Sequence, residues 1–126
     1  MNPRSPSVEA LYAAGHWLLG AERFADAAIV FRTMALAAPS DERAWLALGS
    51  CHEGIGQLDI AVSLYEIAAT VAGPAILCTI ARGRALRILG RDDDANASLD
   101  HARELALASG DDDLIAIADH EWRVAS

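Results

Sequence analysis

The chain has 126 residues and a formal net charge of −8, and all ten of its basic residues are arginine. An acidic chain of this kind is not expected to bind a nucleic-acid backbone. No segment approaches the roughly 20 consecutive apolar residues of a membrane span, so stable membrane insertion is also not expected.

The predicted elements are all helices, because the 27 alanines favour helix and strand-type alternation is absent. Ser7, Ser40 or Asp41, and Asp111 are candidate N-caps, and Pro74 is expected in the first turn of its helix. The seven helices are expected at about 7–20, 23–38, 41–54, 58–72, 74–89, 92–108 and 111–124.

The helices follow an internal repeat of 34 residues. Gly15, Gly49 and Gly83 share this spacing, and we expect each of them where two helices of a repeat cross closely. Gly20 with Gly54 and Gly56 with Gly90 also lie 34 apart, and we expect them at helix ends and turns, where glycine tolerates positive φ. Three further series have the same period: Ala27, Ala61 and Ala95; Phe31, Tyr65 and Leu99; Met34, Ala68 and Ala102.

A helix–turn–helix period of 34 residues with this pattern resembles the tetratricopeptide repeat. Trp45, Leu48 and Gly49 match the repeat pattern closely, whereas Thr79 and Arg82 stand where Trp and Leu would be typical. The resemblance implies an all-α superhelix of three repeats with a capping helix, in which the first helices line a concave face. The expected division is a short N-terminal segment 1–7, repeats 8–41, 42–75 and 76–109 within 8–109, and a C-terminal capping helix in 110–126.

The two cysteines, Cys51 and Cys78, are 27 positions apart and lie in apolar helical contexts. We expect both to be buried free thiols. Two lone thiols and the absence of a signal-peptide-like apolar run favour a cytoplasmic location. Trp17 and Trp45 are expected in the core between helices.

A search for catalytic patterns is negative. His52-Glu53 begins like a zinc-protease motif, but Gly56 occupies the position of the second histidine. The Asp92–Asn96 segment resembles the start of a calcium loop but lacks the glycine and the final glutamate that such a loop needs. The sequence therefore predicts no catalytic residue, metal site or cofactor, and no enzyme.

Peptide binding in the concave groove is the function that the repeat implies. Simple packing between repeats remains the alternative for Tyr12, Leu46 and Ile80. The candidate peptide-binding residues, three from the first helix of each repeat, are Tyr12, His16, Leu19, Leu46, Ser50, Glu53, Ile80, Arg84 and Arg87.

Four arginines cluster on and after the fifth helix: Arg82, Arg84, Arg87 and Arg91. One interpretation is a basic wall that meets an acidic partner. The other is pairing within the chain, with Asp92–Asp94 and Glu104, which adds little stability when the pair is exposed.

Residues 11–71 and 84–106 resemble a narrower family, the class II chaperones of bacterial type III secretion, the group of LcrH, SycD and CesD. The resemblance implies a cytoplasmic chaperone that holds a segment of a hydrophobic translocator protein in its groove before export. Only seven residues precede the first repeat, where the family has a longer segment used in dimerisation, so a homodimer is left open. The most specific stretches are Leu11-Tyr12, Phe24-x-x-Ala27-x-x-x-Phe31, Leu48-Gly49-Ser50-Cys51 and Gly56-Gln57-Leu58-Asp59-x-Ala61.

Two other functions remain open. The first is a general adaptor that joins two proteins in another bacterial complex, and the second is a regulatory domain that senses a short peptide. Co-purification with a membrane-inserting protein would favour the chaperone, and capture of only soluble partners would favour the adaptor.

Overall fold

The computed structural model describes residues 7–125, and all regular elements in that range are α-helices. Each predicted helix is present, with ends within two residues of the expected positions. Residues 1–6 of the expected N-terminal segment, and Ser126, lie outside the described residues. The helices are α1 (Val8–Gly20), α2 (Phe24–Ala37), α3 (Glu42–Gly54), α4 (Leu58–Val71), α5 (Ile76–Ile88), α6 (Asp92–Ser109) and α7 (Asp112–Ala125).

Three helices begin at the predicted caps. Ser7 Oγ accepts a hydrogen bond from the amide three residues later, at 3.0 Å. Asp41, rather than Ser40, caps α3 by accepting from the amide two residues later, at 3.1 Å. Asp111 accepts from the amides two and three residues later, at 3.0 and 3.2 Å. The short polar side chains thus satisfy amide donors that have no partner within the helix.

The expected place of Pro74 in a helical turn was wrong. Helix α5 starts at Ile76, after a cis peptide bond between Gly73 and Pro74. Ala75 has a φ of 43°, in the left-handed region, so a right-handed helix cannot run from Pro74 through this residue.

The glycines spaced by 34 lie at close helix crossings, as predicted. A Cβ atom on Gly49 would overlap the Tyr65 ring of α4, so any side chain there would push the two helices apart. The other two crossings have the same form: a Cβ on Gly15 would lie 2.5 Å from Phe31, and one on Gly83 would lie 2.7 Å from Leu99.

The glycines at the helix ends serve two different purposes. Gly56 and Gly90 have φ values of 84° and 78°, which confirms their role in turns. Gly54 is still helical, and a Cβ there would lie 2.5 Å from the Phe24 ring. Gly54 is therefore needed for a close approach between repeats and not for the turn itself.

The helices stack in chain order, and each packs on the next. In addition α1 contacts α3, α3 contacts α5 and α5 contacts α7, whereas no contact joins α2 to α4 or α4 to α6 within residues 7–125. The odd-numbered helices therefore lie on the inner side of the curve. This arrangement confirms the predicted superhelix of three helix–turn–helix repeats with a C-terminal capping helix, and the boundaries of the individual repeats stay a prediction.

The core consists of three clusters, one around each helix pair or junction. Cys51 and Cys78 are fully buried free thiols, as expected. Burial raises the pKa of Cys51 to about 11 and also raises the pKa of Cys78. Trp45 packs against two clusters, which agrees with the prediction of a core position.

The prediction that Trp17 lies in the core was wrong, because its side chain is 69% exposed. The equivalent positions in the next repeats, Cys51 and Ala85, are buried because they lie in repeats that follow another repeat. Trp17 lies in the first repeat, and no described helix covers this face. Within residues 7–125, no helix combines the length and apolar character that crossing a membrane requires.

Candidate peptide-binding pocket

A cavity of about 360 Å³ lies on the inner face between α1 and α3. Five of the nine predicted groove residues line it, which places the candidate site in the first two repeats. The lining consists of Tyr12, His16 and Leu19 of α1, Arg43, Leu46, Ala47 and Ser50 of α3, and Leu77 of α5.

Helical spacing explains why these side chains meet. Tyr12, His16 and Leu19 follow one another at intervals of four and three residues, so they share one face of α1. Leu46 and Ser50 have the same relation on α3. Contact between α1 and α3 places the two faces side by side.

The α1 wall of the pocket is aromatic. The Tyr12 and His16 rings meet edge to face, with their centroids 4.4 Å apart. Both rings also contact Phe31 of α2, at centroid distances of 6.4 and 5.4 Å. Because Phe31 is fully buried, it supports the two rings from behind.

Arg43 forms part of the rim, but its charge is already balanced. Its guanidinium lies 4.6 Å from the centroid of the Tyr12 ring. It donates hydrogen bonds to Glu9 at 2.6 Å and to Asp41 at 2.8 Å. The hydrogen bonds from Arg43 lower the pKa of both carboxyl groups. The rim therefore positions Tyr12 and links α1 to α3, and it offers no free cation for an acidic ligand.

The α3 side of the pocket is mainly apolar. Ser50 Oγ donates to the Leu46 carbonyl at 3.1 Å, so this hydroxyl already has a partner. Leu46 and Ala47 complete the wall, and Leu77 of α5 closes its end. An apolar side chain fits such a surface better than a charged one.

The four other predicted groove residues do not line this pocket. Glu53 accepts a hydrogen bond from the Tyr65 hydroxyl. Burial, together with this carboxylate, raises the pKa of Tyr65. Arg84 pairs with Glu121 of α7 at 3.1 Å, and Arg87 lies in the last turn of α5. The roles predicted for these residues in peptide binding stay predictions.

Ile80 is only 3% exposed, unlike Tyr12 and Leu46 at the equivalent positions of the earlier repeats. It lies in a cluster that includes Ala118 of α7. The capping helix thus covers the third part of the inner face. In the free chain, Ile80 packs between helices, which is the alternative that the sequence had left open.

Sequence reasoning missed Arg43, Ala47 and Leu77. Arg43 and Ala47 lie on the same face of α3 as Leu46 and Ser50, so helical spacing alone could have included them. Leu77 carries no comparable signal, because its place in the pocket depends on how α5 packs against α3.

The arginine cluster is paired within the chain. Arg91 pairs with Asp94, as one of the two interpretations predicted, and the other partners come from different helices. The pairs are Arg82 with Glu66 at 3.0 Å, Arg84 with Glu121 at 3.1 Å, and Arg91 with Asp94 at 2.7 Å. Among residues 7–125, no group of three or more His, Cys, Asp or Glu side chains is arranged to hold a metal ion.

Comparison with known proteins begins with two negative findings: no protein-family model matches the chain, and no curated protein matches it. Solved structures do match over nearly the whole chain. The helix order and the inner-face pocket define the chain as a helical-repeat protein of the tetratricopeptide type.

PcrH from Pseudomonas aeruginosa is 26% identical with a TM-score of 0.82, and the match covers 97% of this chain and 96% of PcrH. PcrH bound to the chaperone binding region of PopB is 27% identical with a TM-score of 0.80, covering 94% of this chain and 98% of the other. The type III secretion translocator chaperone SycD from Yersinia enterocolitica, in an alternative dimer, is 23% identical with a TM-score of 0.83, covering 99% and 96%. This chain has the fold of the type III secretion translocator chaperones.

Proposed function

We propose that this chain is a chaperone of type III secretion translocators and acts by binding, not by catalysis. It would hold a segment of the translocator in the pocket between α1 and α3 before export. The observation that carries this proposal is the apolar pocket on the inner face, formed by Tyr12, Leu19, Leu46 and Leu77. Neighbours of the same fold have been solved with translocator segments, namely of YopD, PopD and PopB.

Binding would follow from burial of apolar surface. Fully burying a side chain of the size of leucine contributes roughly 1.5–3 kcal/mol, and about 1.4 kcal/mol corresponds to a factor of ten in affinity. One anchor in this pocket is therefore not enough for a stable complex. The segment must also lie along the α3 and α5 surfaces beyond the pocket. No nucleotide is needed, because the free energy comes from burial of the client's apolar groups.

A chaperone that acts before export meets its client in the cytoplasm, so we propose a cytoplasmic location. The partner is a protein segment and not a nucleic acid, which fits the net charge of −8. One SycD structure is described as an alternative dimer, and a homodimer of this chain is therefore part of the proposal.

Co-expression with a membrane-inserting translocator from the same genome tests the proposal. We expect the wild-type chain to keep the translocator in the soluble fraction as a complex. Tyr12→Ala combined with Leu46→Ala should weaken that complex at least tenfold without unfolding the chain, as measured by co-purification and circular dichroism. Leu36→Ala is the matched control, because Leu36 is 80% exposed on α2 and lies outside the pocket.

Two outcomes would contradict the proposal. Undiminished affinity of the double variant would place the site elsewhere on the chain. Failure to hold any translocator, together with stable binding of a soluble partner through Tyr12 and Leu46, would instead support the adaptor function.

A further inference from the structure

A second cavity, of about 240 Å³, lies between α4, α5 and α6. It shares no lining residue with the pocket between α1 and α3. Its lining consists of Tyr65, Glu66 and Ala69 of α4, Thr79 and Arg82 of α5, and Ala97, Ser98 and His101 of α6.

The 34-residue repeat explains why a cavity exists at this junction. The position of Thr79 corresponds to Trp45 one repeat earlier, and the position of Ser98 corresponds to Leu64. Trp45 and Leu64 both pack against the buried cluster of the first junction, between α2 and α3. At the second junction an indole and an isobutyl group are replaced by two small side chains. The space that the chain fills itself in the first junction is therefore left open in the second.

The remaining lining positions follow the same trend. Arg82 replaces a buried leucine, Leu48, and its side chain turns to Glu66, with 3.0 Å between Arg82 Nε and Glu66 Oε1. The exposed His101 stands where the earlier repeat has Ile67. Both changes place a polar group at the edge of the cavity and leave its centre unfilled.

The floor of the cavity requires no hydrogen bond from a ligand. Thr79 Oγ1 donates to the Ala75 carbonyl at 2.8 Å, and Ser98 Oγ donates to the Thr79 carbonyl at 2.8 Å. Both hydroxyl donors are thus satisfied by the backbone. The Tyr65 ring, Ala69 and Ala97 supply apolar walls. Such a site favours an apolar guest, since a polar guest would lose water without gaining equivalent partners.

We propose that this cavity between α4 and α6 binds a single tryptophan side chain of a protein partner. The volume is below the range of roughly 300–1,000 Å³ that is usual for small-molecule sites, so one side chain suits it better than a separate ligand. An indole is the group that the same scaffold places at the equivalent point of the first junction. The site lies between second helices, and a partner could occupy it while a client segment occupies the inner-face pocket.

N-acetyl-L-tryptophanamide is the probe that tests this proposal, with N-acetylglycinamide as the control compound. Two-dimensional amide NMR spectra of the full chain should show saturable shifts at Ala69, Ala97 and His101 with the first compound only. The leading contradiction would be shifts that do not saturate or that appear without any response from these three residues.

Variants that fill the cavity sharpen the test. Ser98→Leu introduces the residue of the equivalent position in the previous repeat, and Ala69→Phe fills the cavity from an exposed wall position without altering the core. Each should weaken probe binding at least tenfold, so unchanged binding in a folded variant would overturn the proposal. Ser63→Leu is the matched control, because it adds the same side chain at an exposed position of α4 outside the cavity, and it should bind the probe like the wild type.

The two sites can be tested separately. The variant with Tyr12→Ala and Leu46→Ala should retain probe binding at the second cavity, because neither residue lines it. Loss of translocator binding would then concern only the chaperone function, and loss of the tryptophan-specific shifts would concern only this cavity.

Discussion

The inner face is open at one end of the molecule and closed at the other. Tyr12 and Leu46 line a pocket between α1 and α3, whereas Ile80 at the equivalent position is buried beside α7. An ion pair between an inner helix and its neighbour is present at both ends, Arg43 with Glu9 and Arg84 with Glu121. The difference teaches that the repeat sets the backbone, while the capping helix decides how much of the inner face can accept a ligand.

The largest expected effect comes from disturbing the scaffold that both ends share. Gly49→Leu should destabilise the chain by about 3 kcal/mol or more, because the new side chain would occupy the place of the Tyr65 ring. Thermal unfolding followed by circular dichroism measures this. Gly20→Ala is the control, since no atom lies within 4 Å of its added Cβ, and it should change stability by less than about 0.5 kcal/mol. An unchanged melting temperature for Gly49→Leu would contradict the close α3–α4 crossing.

Truncation at equivalent positions tests the comparison directly. Ile80→Ala should cost about 3 kcal/mol of unfolding free energy, because it leaves a cavity beneath α7. Leu46→Ala should cost only about 1 kcal/mol, because this side chain is partly exposed in the pocket. Urea unfolding measures both values. Equal losses, or a larger loss for Leu46→Ala, would show that the two ends of the inner face do not differ as described.

Acid should act on the open end through the carboxyl groups that Arg43 holds. The folded-state pKa values of Glu9 and Asp41 lie below their ordinary values of 4.5 and 3.8. Lowered pKa values stabilise the fold above the ordinary values, and this stabilisation is lost as the pH falls through the folded-state values.

Arg43→Met is the variant that isolates this effect, which is the smallest of the three. The difference in urea midpoint between wild type and variant should be fully present at pH 7 and should shrink below about pH 4. A difference that stayed constant down to pH 2 would show that these carboxyl pairs do not contribute to stability.

Local patterns in the sequence predicted the fold well. The 34-residue spacing of glycines marked the crossings, because only a residue without a side chain fits beside Phe31 or Tyr65. Ser7, Asp41 and Asp111 marked helix starts, because a cap acts on amides two or three residues away.

The errors concern contacts that no local pattern encodes. Ile80 was expected in the groove, and its burial depends on α7, which lies more than 30 residues later in the chain. Trp17 was expected in the core because the repeat pattern does not show that the first repeat lacks a covering helix. Arg43 was missed because a charged residue enters an apolar pocket wall only when partners such as Glu9 and Asp41 balance it.

The two buried thiols make the stack suited to chemical readout. Cys51 and Cys78 belong to different clusters, one at the first junction and one at the second. Because burial keeps both sulfurs protonated at neutral pH, alkylating reagents will react with them only after the surrounding helices separate. Mass spectrometry of the labelled peptides would then time the opening of each junction separately, with no engineered reporter in the chain.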